Sequence, residues 1–185
     1  MTAVRAIRNS PARALFVLGL VVMLTVAIVP RAGASIYWAV QKRDGKGGVG
    51  QANLDGSHVK KTIASGLDSP CGLAVKGRHM FWPNSNNPAG DGTTIGRAKL
   101  DGTHVDKSFI TGADDPCGIA VDAHHVYWGN FPDSIGRANL DGSHVDQNFI
   151  QGTGGSYGIA VQGSHIYWSN YSGDIGRADL NGQNP

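Results

Sequence analysis

One block of sequence occurs four times: IYWAV followed by VGQANLDGSHV, MFWPN by IGRAKLDGTHV, VYWGN by IGRANLDGSHV, and IYWSN by IGRADLNG. Its tryptophans, Trp38, Trp82, Trp128 and Trp168, stand 44, 46 and 40 residues apart. A period of this length means a row of small similar units, each unable to bury its apolar faces alone. It also discounts any single conspicuous residue, because most of them are copies.

The chain opens differently. Arg5, Arg8 and Arg13 precede an uncharged, mostly apolar run of 15 residues, Leu15 to Val29. Pro30 ends the run, and Ala32-Gly33-Ala34 offers the small residues that a signal peptidase accepts. Residues 1–34 are therefore expected to be a secretory signal peptide, cleaved before Ser35, with residues 35–185 secreted or extracytoplasmic. The alternative is an uncleaved anchor, but a spanning helix needs about 20 apolar residues. Without the leader, twelve basic residues face fourteen acidic ones, a net charge of −2. Nucleic-acid binding, which needs a concentrated basic surface, is not expected.

All fourteen acidic residues are Asp. Lacking Glu, the chain lacks one common acid–base side chain and is poor in helix formers. The repeat itself reads as strands. In residues 116–150, Gly118–Val121 is a short apolar run, Val126–Trp128 a β-prone one, and Ser134–Leu140 alternates with period two. Asp141-Gly142 is a strong hairpin dipeptide, as are Asp55-Gly56 and Asp101-Gly102. Four short antiparallel strands in about 40 residues describe a propeller blade. The expected fold is all-β, with units over 36–70, 71–115, 116–155 and 156–185. The first unit shows only second to fourth strands and the last only first to third, about three and a half blades. Open strand edges are then expected at 36–40 and 175–180, where self-association is a possible outcome. Either a fragment of a longer array or a ring completed by a second chain fits this count.

The Tyr-Trp pair, IGRANLDG and PCGIAVD together resemble the YWTD repeat, also called the low-density-lipoprotein-receptor class B repeat. The resemblance covers residues 36–181 and implies a β-propeller. The family has Thr-Asp after Tyr-Trp, whereas this chain has Ala39-Val40, Pro83-Asn84, Gly129-Asn130 and Ser169-Asn170. It is thus a divergent relative in this reading, of bacterial type, and the ligand residues of animal receptors are not carried over.

Few residues stand out from the repeat. Cys71 and Cys117 occupy equivalent Pro-Cys-Gly positions. An exported protein can bridge them, but copies in adjacent blades are expected to lie farther apart than a disulfide spans, so two separate small residues are the favoured reading. The seven His follow the turns of the repeat and suggest no metal site. Arg97, Arg137 and Arg177 are expected to lie flat on neighbouring aromatics or to bond backbone carbonyls. One loop, from Asn84 to Thr94, has no counterpart in other units; its Asn84, Asn86, Asn87 and Asp91 are candidate binding residues. No catalytic residue and no cofactor is expected, since an enzyme needs a unique convergent polar set. The expected function is a non-catalytic module for a protein or cell-surface ligand. A piece of an exported propeller lyase or hydrolase, or a non-functional fragment, is the alternative.

Overall fold

In a computed structural model of the protein, the described residues are 26–28, 34–42, 45–85 and 92–185. They form fifteen strands in four antiparallel sheets, each a simple meander. The first sheet joins β1 (Val26–Ile28), β2 (Ser35–Gln41), β3 (Lys46–Asn53) and β4 (Lys60–Asp68). The second joins β5 (Ala74–Lys76), β6 (His79–Asn84), β7 (Thr94–Lys99) and β8 (Asp106–Thr111). The third joins β9 (Ile119–Val121), β10 (His125–Asn130), β11 (Ser134–Asn139) and β12 (Asp146–Gln151). The fourth has three strands, β13 (Ser156–Gln162), β14 (His165–Asn170) and β15 (Ile175–Asp179). The first strands β1, β5, β9 and β13 touch in succession along the axis, the arrangement of blades in a propeller.

The first blade corrects the strand count. Val26–Ile28 pairs with Ile36–Trp38 and supplies the inner strand that the sequence reading denied to this unit. The expected open edge at 36–40 is therefore covered over 36–38. Valine and isoleucine suit a strand as well as an export leader, and the flanking arginines had assigned them to the leader. Most of the expected leader lies outside the described residues. At the other end β15 remains an edge strand, and Ile175 is 72% exposed.

The repeat acquires a physical reason at one cross-strand pair. Trp38, Trp82, Trp128 and Trp168 stand directly opposite Gly50, Gly96, Gly136 and Gly176. The indole lies over the glycine, so a Cβ there would come within 2.2–2.3 Å of the ring's Cε2. Tryptophan and glycine are thus two halves of one feature. In the first three blades a β-bulge between the third and fourth strands falls at the same glycine.

Because side chains alternate along a strand, each blade offers two apolar faces. Trp82 packs with Tyr37, Trp128 with Phe81, and Trp168 with Tyr127, in three separate clusters between successive blades. Trp82 and Trp128 are fully buried. Burying such a ring contributes about 4–6 kcal/mol as an upper figure. Trp38, with no blade before it among the described residues, is only half-buried, as is Tyr167 on the last.

Candidate functional site

In a meander, the turn from second to third strand and the link from fourth strand to the next blade lie at one end. The other two turns lie at the opposite end, and there the repeated polar residues gather. Asp55, Asp101 and Asp141 accept hydrogen bonds from the backbone N–H of Ser57, Thr103 and Ser143 at 2.8, 2.9 and 2.9 Å. Gly56, Gly102 and Gly142 follow at φ 78°, 83° and 89°, as the turn requires. The hydroxyls of those Ser and Thr residues, then their N–H groups, hold the three carboxyls below the usual range. His58, His104 and His144 close these turns at φ 51°, 54° and 53°. Asp122 is spent likewise on the N–H groups of His124 and His125, at 2.7 and 2.6 Å, and on the Tyr127 hydroxyl at 2.9 Å. Burial opposes ionisation of Asp122, yet these bonds together hold it low. Among the described residues, no group of three His, Cys or Asp side chains could hold a metal. Arg97 and Arg137 lie 3.8 and 3.9 Å above the rings of Phe109 and Phe149, a packing role.

The cleft end is built differently. Cys71 and Cys117 form a disulfide there, with Cα atoms 5.0 Å apart. Equivalent positions come this close because the starts of the inner strands converge on the axis, which the expected blade-to-blade spacing ignored. Beside the disulfide is a cleft of about 180 Å³ lined by Gln41, Ser85, Asp115, Phe131, Ser156 and Tyr157 among others. They come from the end of β2, the turns after β6 and β10, the link into β9 and the start of β13. The Ser85 hydroxyl donates to Asp115 Oδ1 at 3.1 Å. Asp133 fastens the link that carries Ser156 and Tyr157, accepting from the Gly154 N–H at 2.7 Å. Phe131 also borders a second, polar cavity of about 460 Å³ between Asp114 and Gln147.

Of the four candidate loop residues, Asn86, Asn87 and Asp91 lie outside the described residues. Asn84 is corrected: it is only 3% exposed and belongs to the framework. Its Oδ1 accepts from Trp82 Nε1 at 3.0 Å, and its Nδ2 donates to the Lys107 carbonyl at 2.7 Å. Asn130 repeats the second bond, to the Gln147 carbonyl at 2.9 Å. A carboxylate cannot donate, so these bonds account for asparagine at both positions. Within that loop, Ser85 does reach the cleft. Asp115, Phe131, Ser156 and Tyr157 were missed, although each stands where the units differ in sequence.

This geometry defines a β-propeller-type repeat array with a cleft at one end. No protein-family model matches the chain, and no curated protein matches it. Solved structures do. A chain of a nidogen/laminin complex is similar with a TM-score of 0.59 at 20% identity, over 85% of this chain and 75% of that one. The computationally designed Ika4 protein is similar with a TM-score of 0.59 at 9% identity, over 85% and 92%. A gluconolactonase of Xanthomonas campestris gives 0.56 at 15% identity; this chain covers about half of it, 52%, using 76% of its own length. At such identities the likeness is one of fold.

Proposed function

We propose that the protein is an exported, non-catalytic binding module that meets a protein or cell-surface ligand with its cleft end, and that it is a divergent relative of the YWTD repeats. The observation that carries this reading is the contrast between the two ends. At the turn end Asp55, Asp101 and Asp141 are copies committed to turns, and Asp122, which has no acidic counterpart, is committed to the His124 and His125 N–H groups and the Tyr127 hydroxyl, whereas Ser85, Asp115, Phe131, Ser156 and Tyr157 at the cleft differ from their counterparts in other blades. Unrepeated residues on one face of a repeat protein are the usual place for binding. The likeness to an enzyme and to a chain from a protein complex favours neither chemistry, because folds of this kind host both.

The test uses labelled protein on intact cells of its source. Saturable binding, abolished by the double substitution Phe131→Ala/Tyr157→Ala and kept in Val59→Ser at the opposite end, is expected. Equal binding by all three proteins, or turnover of lactones by the purified protein with divalent metals, would overturn it.

The outer faces support a further partner, a second copy of the chain. The Trp38 side of the first blade and the Tyr167–Ile175 side of the last match the two halves of the interface that closes three times within the molecule.

A further inference from the structure

The histidine that opens the second strand of a blade has a carboxylate beside it in the third and fourth blades. His125 lies 3.6 Å from Asp122, just past the third blade's inner strand, and His165 lies 3.3 Å from Asp179, on the fourth blade's third strand. The second blade reverses the charge at both positions. Lys76 stands where the third blade has Asp122, and Lys99 where the fourth has Asp179. The register sets Lys76 and Lys99 directly opposite His79, one on each side. Neighbouring strands are about 4.8 Å apart, so the basic side chains form one row across β5, β6 and β7. Arg78, in the turn before His79, joins the row. Its carbonyl accepts from the Leu100 N–H at 2.9 Å, which ties that turn to the residue after Lys99. Lys76 and Arg78 are exposed, and His79 and Lys99 half-buried. Burial first, then the charges of Arg97, Lys99 and Arg78, hold the His79 imidazole below its usual pKa.

Like charges on opposed positions repel, so the row calls for a counter-charge. Residues 1–43 contain no acidic side chain, and Asp44 and Asp91 fall in the β2–β3 and β6–β7 connections, which leave from the cleft end. Asp101 and Asp106, at the turn end of the second blade, are spent on the N–H groups of Thr103 and Ser108 at 2.9 and 3.0 Å. Asp101 attracts Lys99, yet among the described residues none of Lys76, Arg78 and Lys99 forms an ion pair. The third blade completes its own site with the Tyr127 hydroxyl, which donates to Asp122. The second blade has Phe81 there, so the acid and the hydroxyl are both absent from it. An anion from outside can take the acid's place. Lysine acts on a phosphate as a point charge, and several spread about one multiply charged anion need no coplanar partner. We infer that Lys76, Arg78, His79 and Lys99 bind a phosphate group at the turn end of the second blade. This site lies at the opposite end from the cleft and stands whether or not that end binds.

The experiment is an NMR titration of the purified protein with inorganic phosphate, glycerol 3-phosphate and acetate at constant ionic strength. Both phosphates should shift the amides of Lys76, Arg78, His79 and Lys99 saturably, with acetate binding weaker by roughly tenfold or more. Tighter binding of the ester assigns the group to a larger phosphorylated ligand, and equal binding to free phosphate; either result supports the site. Lys76→Asp gives the second blade the acid that the third already has. It should weaken phosphate binding by roughly tenfold or more and leave the fold intact, since Lys76 is exposed. Lys99→Gln should weaken binding in the same direction. Lys42→Asp makes the same change of charge at the cleft end and should leave phosphate binding within about twofold. Shifts that never saturate, equal binding of acetate, an unchanged Lys76→Asp variant, or equal weakening by Lys42→Asp would overturn the inference. None of these results bears on binding by the cleft end, which the Phe131→Ala/Tyr157→Ala variant tests separately.

Discussion

Trp128 and Gly136 should behave as a single energetic unit. The indole of Trp128 is fully buried against the second blade and lies over Gly136. Trp128→Ala removes the ring and leaves a cavity, a loss of about 3–5 kcal/mol. Gly136→Ala adds a methyl that would sit 2.3 Å from the indole Cε2, so ring or strand must shift. Overpacking of this kind costs about 1–3 kcal/mol. In the double variant the clash is gone, because the ring that caused it is gone, and the new methyl fills part of the cavity. The double should therefore lose less than the sum of the singles, by about 1–3 kcal/mol. The same cycle at Trp38 and Gly50 should start from a smaller tryptophan loss, since Trp38 is only half-buried. Urea unfolding followed by far-UV circular dichroism gives all four corners of each cycle without relying on tryptophan fluorescence. Additive losses at Trp128 and Gly136, or equal tryptophan losses in the two blades, would refute the argument.

Asn130→Asp replaces the donor to the Gln147 carbonyl with a buried carboxylate and should cost about 1–3 kcal/mol by the same unfolding assay, with Asn84→Asp alike. Replacing Cys71 and Cys117 with Ala opens a loop closed across a separation of 46 residues, which loop-closure entropy places at up to about 4 kcal/mol; dithiothreitol should lower the melting temperature of the parent and not of the variant. Asp55, Asp101 and Asp141 have folded pKa values below their unfolded ones, so their stabilisation is complete above about pH 4 and fades as pH falls through the lower folded values. Asp141→Asn should flatten the acid side of a melting-temperature profile, and an unchanged slope would count against the turn bonds. Ile175→Lys on the open last face should shift sedimentation toward the monomer across a wide concentration range.

The strands were legible because period-two alternation and Asp-Gly turns are local properties. The partnership of Trp128 with Gly136 is visible as co-occurrence in every unit, although the reason for it, an indole over a bare backbone, needs the register. The disulfide was misjudged because distance between repeats depends on radius, and sequence carries no radius. Asn84 was misplaced because its neighbours looked like loop while its own amide faces inward. The cleft left no periodic signal, since it lies where the units stop resembling one another.

The alternation of faces gives the array a direction. Each blade turns its tryptophan toward the preceding blade and its tyrosine or phenylalanine toward the following one. The two outer surfaces are therefore unlike, and neither complements itself. A two-fold axis passing through the contact itself, which must set a surface against its own copy, cannot reproduce it; a two-fold axis along a closed two-membered ring can. Copies can join through it only head to tail, so each junction leaves another pair of unlike ends. Growth then stops only when the accumulated rotation brings the last end to the first; otherwise it runs on as a fibre. Whether such chains form rings or filaments is thus set by the angle between blades, and not by the strength with which any one pair adheres.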